Sequence, residues 1–258
     1  MADKTKNILL GALPFIAVII IWQLLATGSN FFTMLFPPPS EVFPKFWELL
    51  INGVLPRLFI ISLLNIFPAF VFASLIAVIL GTLIGINETV RKMFSPIISA
   101  VYLIPSLAWL PLLILIFGFT RETIWAMVAI SSFTKIIYSV IGGVRSIDQV
   151  WWLTAKNFKL STFKTVMMVV LPGSLPNILS GLRTGFGSAW RSLVGAEMLV
   201  VTAGGLGKYI WLSQWVFKFD QVIAGIIIIA LVGIAAEFLI FEKIEKLTTV
   251  KWGMRQIN

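Results

Sequence analysis

Five residues inside long apolar stretches of this chain carry side chains that could act on a solute or on another helix. Arg183, Trp190 and Glu197 recur at intervals of seven residues, which places them along one face of a helix. The other two are Arg191 and Lys135. An ionisable side chain in hydrocarbon is unfavourable by several kcal/mol unless it finds water or a partner. These residues therefore indicate a gate, a solute pathway or contacts between helices.

Each of the cationic residues has more than one interpretation. Arg183 lies about two turns inside its apolar stretch, so its side chain can reach polar surroundings. A gate or interhelical pair and a structural hydrogen bond both remain open for it. Arg191 is the best candidate for favouring an anionic solute, and the alternative is a pair with Glu197 or with another helix. Lys135, in the middle of a different apolar stretch, is predicted to line water.

Composition excludes most catalytic and metal-binding chemistry. The chain has no cysteine and no histidine, which removes disulfides, thiolate or imidazole metal sites and Cys- or His-based nucleophiles. Asp148, Glu197, Asp220 and Glu237 are scattered, whereas paired-carboxylate catalysis needs fixed proximity. No GxxxxGK[ST] phosphate loop is present. We therefore expect a protein that is not an enzyme and that binds no metal or cofactor itself.

The elements that carry these residues are predicted to be membrane-spanning helices. Hydrophobic residues make up 59% of the chain, charged residues 12%, and the mean hydropathy is +0.98, unlike a soluble domain. A span needs about 20 apolar residues. Lys4 and Lys6 precede the first apolar stretch as in a signal peptide, but this stretch is longer than a signal core and is predicted to be retained. The six predicted spans are 8–27, 58–86, 94–117, 123–144, 175–202 and 221–241.

The positions of lysine and arginine predict the orientation. The net charge of +9 lies beside the apolar stretches and not in a basic and aromatic stripe, so nucleic-acid binding is not expected. Both termini and the 145–174 connector are predicted to be cytoplasmic. The outer side then carries only Lys45, Arg57, Arg121, Lys208 and Lys218. The inner side carries Lys4, Lys6, Arg91, Lys92, Arg145, Lys156, Lys159, Lys164, Lys243, Lys246, Lys251 and Arg255.

Two segments are predicted to lie on the outer side. In the 28–57 loop, Ser40 can cap a short helix after three prolines. One face of that helix is apolar, which favours an interfacial anchor or, as the alternative, a partner contact; it consists of Phe43, Phe46, Trp47 and Leu50. The 204–220 loop is predicted to be a shaped turn because it holds Gly204, Gly205 and Gly207. Trp211 and Trp215 fit an outer aromatic belt.

Polar residues and prolines inside the spans are predicted to shape the bundle. Asn65 and Pro68 fall in the second span, and Pro105, Ser106 and Pro111 in the third. Proline in a span frees carbonyl groups that neighbours must satisfy, and the kinks can form a cavity. For each proline taken singly, simple bending of the helix is the favoured interpretation.

The segment from 152 to 207 is predicted to connect a solvent-exposed surface to a tightly packed helix. Lys156, Lys159 and Lys164 make the connector polar. Leu171-Pro172 and Leu175-Pro176 predict a stop and a restart, because proline cannot continue a helix but begins one well. Small residues on one face of the following helix predict close approach of another helix; they are Gly181, Gly185, Ser188, Ser192 and Gly195.

The run LPGSLPNILSGLRTGFGSAWRSLVGAEM, with GGLG at Gly204–Gly207, resembles the permease subunit of binding-protein-dependent ABC importers. It is most similar to the branch that handles nitrate, taurine, alkanesulfonates and bicarbonate. FPPPSEVF at 36–43 and SLAWLPLLILIFG at 106–118 also match, so the resemblance covers nearly the whole chain. The family's cytoplasmic signature begins Glu-Ala-Ala, has a glycine four residues later and ends Leu-Pro. Only the middle alanine and the ending match here; the corresponding positions are Thr154, Ala155, Lys156, Leu160, Leu171 and Pro172.

The resemblance implies an all-α integral membrane protein of the bacterial inner membrane, with the six-helix fold of a type I ABC importer permease as one domain over 1–258. It implies that the 152–172 segment docks on a cytoplasmic pair of ATPase subunits, which hold ATP and Mg²⁺. The alternative for this segment is a solvated basic loop. A substrate-binding protein on the outer side and a second copy of this chain, forming a homodimer, are the other implied partners.

The expected cargo is a small anion such as a sulfonate, taurine, nitrate or bicarbonate. A thiamine or pyrimidine precursor or an aromatic carboxylate is the alternative within the same architecture. A secondary transporter or channel that uses Lys135, Arg191 and Glu197 for ion coupling is the alternative outside it.

Overall fold

The computed structural model describes residues 2–27, 35–200, 204–245 and 248, and all regular elements within these ranges are helical. The α-helices are α1 Ala2–Ala26, α2 Pro39–Ile51, α3 Val54–Ile86, α4 Glu88–Leu103, α5 Leu110–Phe117, α6 Arg121–Arg145, α7 Gln149–Asn157, α8 Thr162–Thr165, α9 Leu171–Leu199, α10 Leu206–Trp215, α11 Phe219–Ala235 and α12 Glu242–Glu245. A 3₁₀ helix, Ser106–Trp109, lies between α4 and α5. Two π-helical segments, Val166–Val170 and Ala236–Phe241, continue α8 into α9 and α11 into α12.

The predicted helical membrane architecture is confirmed, although six straight spans is not an accurate count. Within the described ranges, four helices are long and apolar enough to cross a membrane: Val54–Ile86, Arg121–Arg145, Thr162–Leu199 and Phe219–Glu245. The predicted first span lies in α1, whose apolar part with described side chains is Leu13–Ala26. Residues 28–34 and 201–203 and the predicted inner cations Lys246, Lys251 and Arg255 lie outside the described residues.

The third predicted span, 94–117, is a broken pair of helices and not one bent helix. The pair Glu88–Leu103 and Ser106–Phe117 meets at an angle of 96°. Ile104 leaves the helical region, with φ −72° and ψ 125°, because the ring of Pro105 disfavours a helical conformation in the residue before it. Simple bending was therefore the wrong expectation for Pro105.

Helix α6 lies at the centre of the bundle, between α3 and α9. The predicted close approach along the glycine face of α9 is confirmed, and the neighbour is α6 of the same chain. A Cβ added at Gly185 would lie 2.6 Å from Ile136 Cγ1, and one at Gly181 would lie 2.8 Å from Ser139 Cβ. Two apolar clusters fill the core, one around Trp190 and Leu193 and the other around Ile136.

The predicted stop and restart at Leu171-Pro172 and Leu175-Pro176 is wrong, because the helix continues from Thr162 to Leu199. Pro172 occupies the first turn of α9, directly after the π-helical segment, where a missing N–H is tolerated. The hydroxyl of Ser174 donates to the carbonyl of Val170 at 2.6 Å. Pro176 lies inside α9, and such hydroxyls and widened turns let membrane helices accept proline.

The two segments that were predicted to lie on the outer side contain more helix than predicted. The first predicted short helix is α2, which begins at Pro39, so Ser40 lies within it and does not cap it. Phe43 and Trp47 are exposed, whereas Val42 and Leu49 are buried as α2 packs on α3 and α11. Residues 206–215 of the predicted turn form α10. Trp211 and Trp215 lie on it with ring centroids 5.9 Å apart.

Candidate functional sites

The 145–174 connector is a compact helical hairpin and not an open loop. The Asp148 carboxylate caps α7 by accepting a hydrogen bond from the Val150 N–H at 2.9 Å. After α7, Lys159 adopts a positive φ of 50°, and the Leu160 N–H donates back to the Ala155 carbonyl at 3.1 Å. Ser161 then caps α8. Both ends of the turn are thus fixed by local hydrogen bonds.

Helix α7 is fixed to the bundle through one side. Ala155 is buried and Trp152 packs against the apolar cluster around Ile136. A cavity of about 780 Å³ lies beside them and is also lined by Lys156 and Leu160. The structure thus brings together Ala155, Lys156 and Leu160 of the six predicted coupling positions.

The remaining three predicted coupling positions lie elsewhere on the connector. Pro172 lines a second cavity, of about 640 Å³, on the other side of α7. Thr154 donates its hydroxyl to the Val150 carbonyl at 2.8 Å. Leu171 is half-buried and packs against the cluster around Ile136.

The hairpin also exposes large apolar side chains that sequence reasoning missed. We call Val150, Leu153 and Phe158 the α7 patch; Phe158 is 76% exposed and Leu153 50%. Trp151 is also 60% exposed, whereas its neighbour Trp152 packs against the core. Exposed apolar groups of this size, next to the exposed side chain of Lys156, are typical of a protein–protein contact. The signal in the sequence was the presence of apolar residues at 150, 153 and 158 in an otherwise polar connector.

A small polar cavity lies where α4 and α5 break apart. This break cavity has a volume of about 260 Å³. The Lys135 ammonium lies 3.3 Å from the centroid of the Tyr102 ring and donates to the Tyr102 carbonyl at 3.4 Å. Arg191 lines the same cavity and is exposed in the single chain. The structure thus brings the two predicted pathway cations to one place; their main polar neighbours there are Tyr102, Ser106, Ser131, Thr134 and Ser188.

Glu197 is fully buried and contacts other residues than the predicted partner. Its carboxylate accepts hydrogen bonds from the Ser62 hydroxyl and the Asn65 amide, both at 2.9 Å, and from the Gly207 N–H at 3.0 Å. The Ser62 hydroxyl in turn accepts from the Leu206 N–H at 3.0 Å. Within the described residues no ion pair joins Arg191 to Glu197. The carboxylate instead joins α3, α9 and the start of α10.

Gly205 is required at this junction for two independent reasons. Its φ is +103°, a region that residues with a Cβ rarely adopt. A Cβ at this position would also overlap the Glu197 carboxylate. The glycines of the GGLG run therefore let the chain turn against a buried carboxylate.

Arg183 and Trp190 attach α9 to the last span. The Arg183 guanidinium pairs with Glu237 and, at 3.3 Å, with Glu245. The Trp190 indole N–H donates to the Ile229 carbonyl at 3.2 Å. Of the two interpretations open for Arg183, the interhelical pair is the one that the structure shows. Among the described residues, no group of three or more acidic side chains could hold a metal ion.

Comparisons with known proteins agree with this architecture. Residues 73–241 match the family described as the inner membrane component of binding-protein-dependent transport systems. The chain is 32% identical to the taurine transport system permease protein of Escherichia coli over 84% of this chain and 80% of that protein. It is 34% identical to a putative ABC transporter permease protein of Methanocaldococcus jannaschii over 91% and 89% of the two chains. It is 30% identical to the nitrate import permease protein of Leptolyngbya laminosa over 89% and 84%.

The family match includes the connector and the break between α4 and α5, which hold candidate sites. An all-helical bundle with several spans and an attached helical hairpin is the structure expected of such a component. The chain therefore belongs to the family of inner-membrane components of binding-protein-dependent transport systems.

Proposed function

We propose that this chain forms the translocation pathway of an ATP-driven importer for a small anion. In this proposal a separate pair of ATPase subunits supplies the energy, and a substrate-binding protein delivers the solute from the outer side. The α7 patch carries the proposal, because it is the surface through which a chain without a phosphate loop can be driven by another protein. The exposed surface of α7 is both apolar and basic, which suits binding in a groove on a soluble partner.

The contacts that attach α7 to the bundle support a mechanical role for this helix. Ala155 and Trp152 attach one side of α7 to the core cluster that contains Ile136, so a displacement of α7 is transmitted to α6 and α3. Closure of the ATPase pair on ATP would shift the connectors and turn an inward-open pathway outward, and hydrolysis would reset it. Mg²⁺ and ATP are held by the ATPase in this scheme.

Two observations support the proposed substrate class. The relatives include proteins named for taurine and for nitrate transport, and a sulfonate and a nitrate both present negatively charged oxygen atoms. Within this chain, two cations, Lys135 and Arg191, line a cavity inside the spans. A thiamine or pyrimidine precursor and an aromatic carboxylate remain the competing cargoes.

A second copy of the chain is part of the proposal. Arg191 and the break cavity are open at the surface of the single chain, and α5 exposes Leu115 and Ile116. A partner copy facing this surface would enclose a pathway between the two chains. The N- and C-termini and the α7 hairpin are placed in the cytoplasm, as the lysine and arginine distribution predicts.

The test is to purify the chain with its ATPase and reconstitute the complex in lipid vesicles. Uptake of nitrate or taurine that requires both ATP and a loaded binding protein would support the proposal. Uptake by the chain alone along an ion gradient would contradict it and would favour a secondary transporter. Preferred uptake of a thiamine precursor or an aromatic carboxylate would contradict the substrate class while leaving the importer mechanism in place.

A further inference from the structure

We propose that the break cavity is an anion-binding site within the membrane, with Lys135 and Arg191 as its two charged contacts. The proposal rests on the proposed import function and adds to it the place where the solute is held during transport. The ligand class is a small oxyanion head, such as nitrate, bicarbonate or a sulfonate group.

The cavity lies within the spans and not at their ends. Lys135 is in the middle of α6, and Arg191 is eight residues before the end of α9 at Leu199, about 12 Å along the helix axis. The third wall is the irregular backbone around Ile104 and Pro105. Non-helical backbone at membrane depth is tolerated where it lines a water-filled cavity or a binding site.

Among the described residues, no carboxylate pairs with either cation, and no acidic side chain lines the break cavity. Two carboxylates elsewhere in the spans already have partners: Glu197 is bonded to Ser62 and Asn65, and Glu237 is paired with Arg183. Arg191 has no ion pair or hydrogen bond in the described parts of the chain. Two uncompensated positive charges at this depth are unfavourable until water or an anion balances them.

The cavity also offers free hydrogen-bond donors. Lys135 has three ammonium hydrogens and uses one on the Tyr102 carbonyl. The hydroxyls of Ser106 and Ser188 make no hydrogen bond within the described residues, whereas the Thr134 hydroxyl donates to the Ile130 carbonyl at 3.0 Å. A guanidinium, an ammonium and two hydroxyls are the groups that bind the oxygens of a small oxyanion.

The volume restricts the ligand further. A cavity of about 260 Å³ is smaller than the 300–1,000 Å³ that is typical, as an order of magnitude, of sites for drug-sized ligands. The cavity accommodates an oxyanion head, and a longer substituent would extend through its open side. The position of Lys135 is fixed by its contact with the Tyr102 ring, so the charge is held in place before the ligand arrives.

The absence of cysteine in this chain allows a direct test of the charge in the cavity. Ser188→Cys places one thiol at the wall, and Ser180→Cys places a matched thiol two turns away on the same helix. The purified complex in uncharged phosphatidylcholine discs is treated with a sulfonate-bearing or a trimethylammonium-bearing methanethiosulfonate. At Ser188→Cys the sulfonate-bearing reagent should react on the order of tenfold faster than the trimethylammonium-bearing reagent. Sulfate or nitrate should slow the reaction of the sulfonate-bearing reagent. Ser180→Cys should show neither effect.

The charge itself is tested by adding Arg191→Gln or Lys135→Gln to Ser188→Cys. Each should reduce the preference for the anionic reagent, and Arg191→Lys should retain it. Each charge variant is also combined with Ser180→Cys; co-purification with the ATPase and an unchanged labelling rate at that position show that the variant is folded. Equal rates for the two reagents at Ser188→Cys, a preference unaffected by Arg191→Gln, or no slowing by sulfate and nitrate would each overturn the site. If the wild-type complex still imports an anion with ATP, the proposed function stands without this site; if uptake needs no ATPase, the function fails whatever the labelling shows.

Discussion

The Glu197 carboxylate accepts a hydrogen bond from the Asn65 amide at 2.9 Å across 132 residues of sequence. With the Ser62 hydroxyl and the Gly207 N–H, the carboxylate has three donors and is fully buried. A buried carboxylate is stable only when its oxygens are satisfied in this way. The contact therefore fixes the relative positions of α3, α9 and α10.

Replacement of Asn65 by alanine should destabilise the chain. Asn65→Ala removes one of three donors to a buried charge and should lower the free energy of unfolding by about 1–3 kcal/mol. Ser74→Ala is the matched control, since Ser74 is on the same helix and its buried hydroxyl has no hydrogen-bond partner. Unfolding midpoints in a detergent titration, followed by tryptophan fluorescence, measure both variants. Equal midpoints would show that the hydrogen bond contributes nothing.

Replacement of Gly205 should be far more harmful than replacement of Gly53. Both have positive φ, +103° and +74°, but a Cβ at Gly205 meets the Glu197 carboxylate whereas one at Gly53 has nothing within 4 Å. Gly53→Ala should lower the free energy of unfolding by about 1–2 kcal/mol from backbone strain alone. Gly205→Ala should reduce the folded yield strongly, as measured by size-exclusion chromatography in detergent. A similar loss for both variants would contradict the steric argument.

The pair between Arg183 and Glu237 should be measurable by a double-mutant cycle. Both side chains are partly exposed, so we expect a coupling energy of about 1 kcal/mol between Arg183→Gln and Glu237→Gln, after allowing for solvent screening. Lys45 and Glu48, 3.0 Å apart on α2, provide a comparison pair on one helix, for which about 0.3–0.5 kcal/mol is expected. Detergent unfolding midpoints of the four variants of each cycle give the values. A zero coupling at Arg183 would make its pairing irrelevant to stability.

The α7 patch should control binding of the ATPase and leave the fold intact. Leu153→Ser and Phe158→Ser change exposed side chains, so the unfolding midpoint should stay the same. The affinity for the ATPase should fall by about fivefold to thirtyfold, which corresponds to one or two kcal/mol. Ile51→Ser, also an exposed apolar position but at the end of α2, should have no effect. Binding is measured by titration of the ATPase onto the chain in discs, and an unchanged affinity for the α7 variants would exclude this surface.

Hydropathy was sufficient to predict α3, α6, α9 and α11, because a span is specified by a long apolar run and little else. It was not sufficient for α4 and α5. A proline can bend a helix or break it, and the outcome depends on how well neighbouring groups satisfy the backbone groups that the proline frees. At Pro105 the helix breaks, and the break cavity lies beside it. Pro172 shows the reverse, since a π-helical turn before it allows the helix to continue.

The candidate sites were only partly predictable for a related reason. Arg183, Arg191, Lys135 and Glu197 are conspicuous because each is ionisable within an apolar stretch. Which partner each one meets depends on helix rotation and depth, which the sequence pattern does not specify. A pair between Arg191 and Glu197, six positions apart, was one of the alternatives left open, whereas Glu197 is bonded to Asn65 on a helix that is distant in sequence.

Helix α1 is joined to the rest of the described structure mainly at one end. The Trp22 indole N–H donates to the Pro37 carbonyl at 3.1 Å. The Gln23 side-chain amide donates to the Ser40 hydroxyl and its oxygen accepts from the Ser40 backbone N–H, both at 3.2 Å. The apolar side chains from Leu13 to Ile21 are exposed. During synthesis, α1 can therefore leave the insertion machinery into lipid as soon as it is made. Of the three central helices α3, α6 and α9, α9 is synthesised last, so the bundle around α6 is completed only at that point. A ribosome that stalls before α9 therefore leaves α6 in the membrane without its main partner.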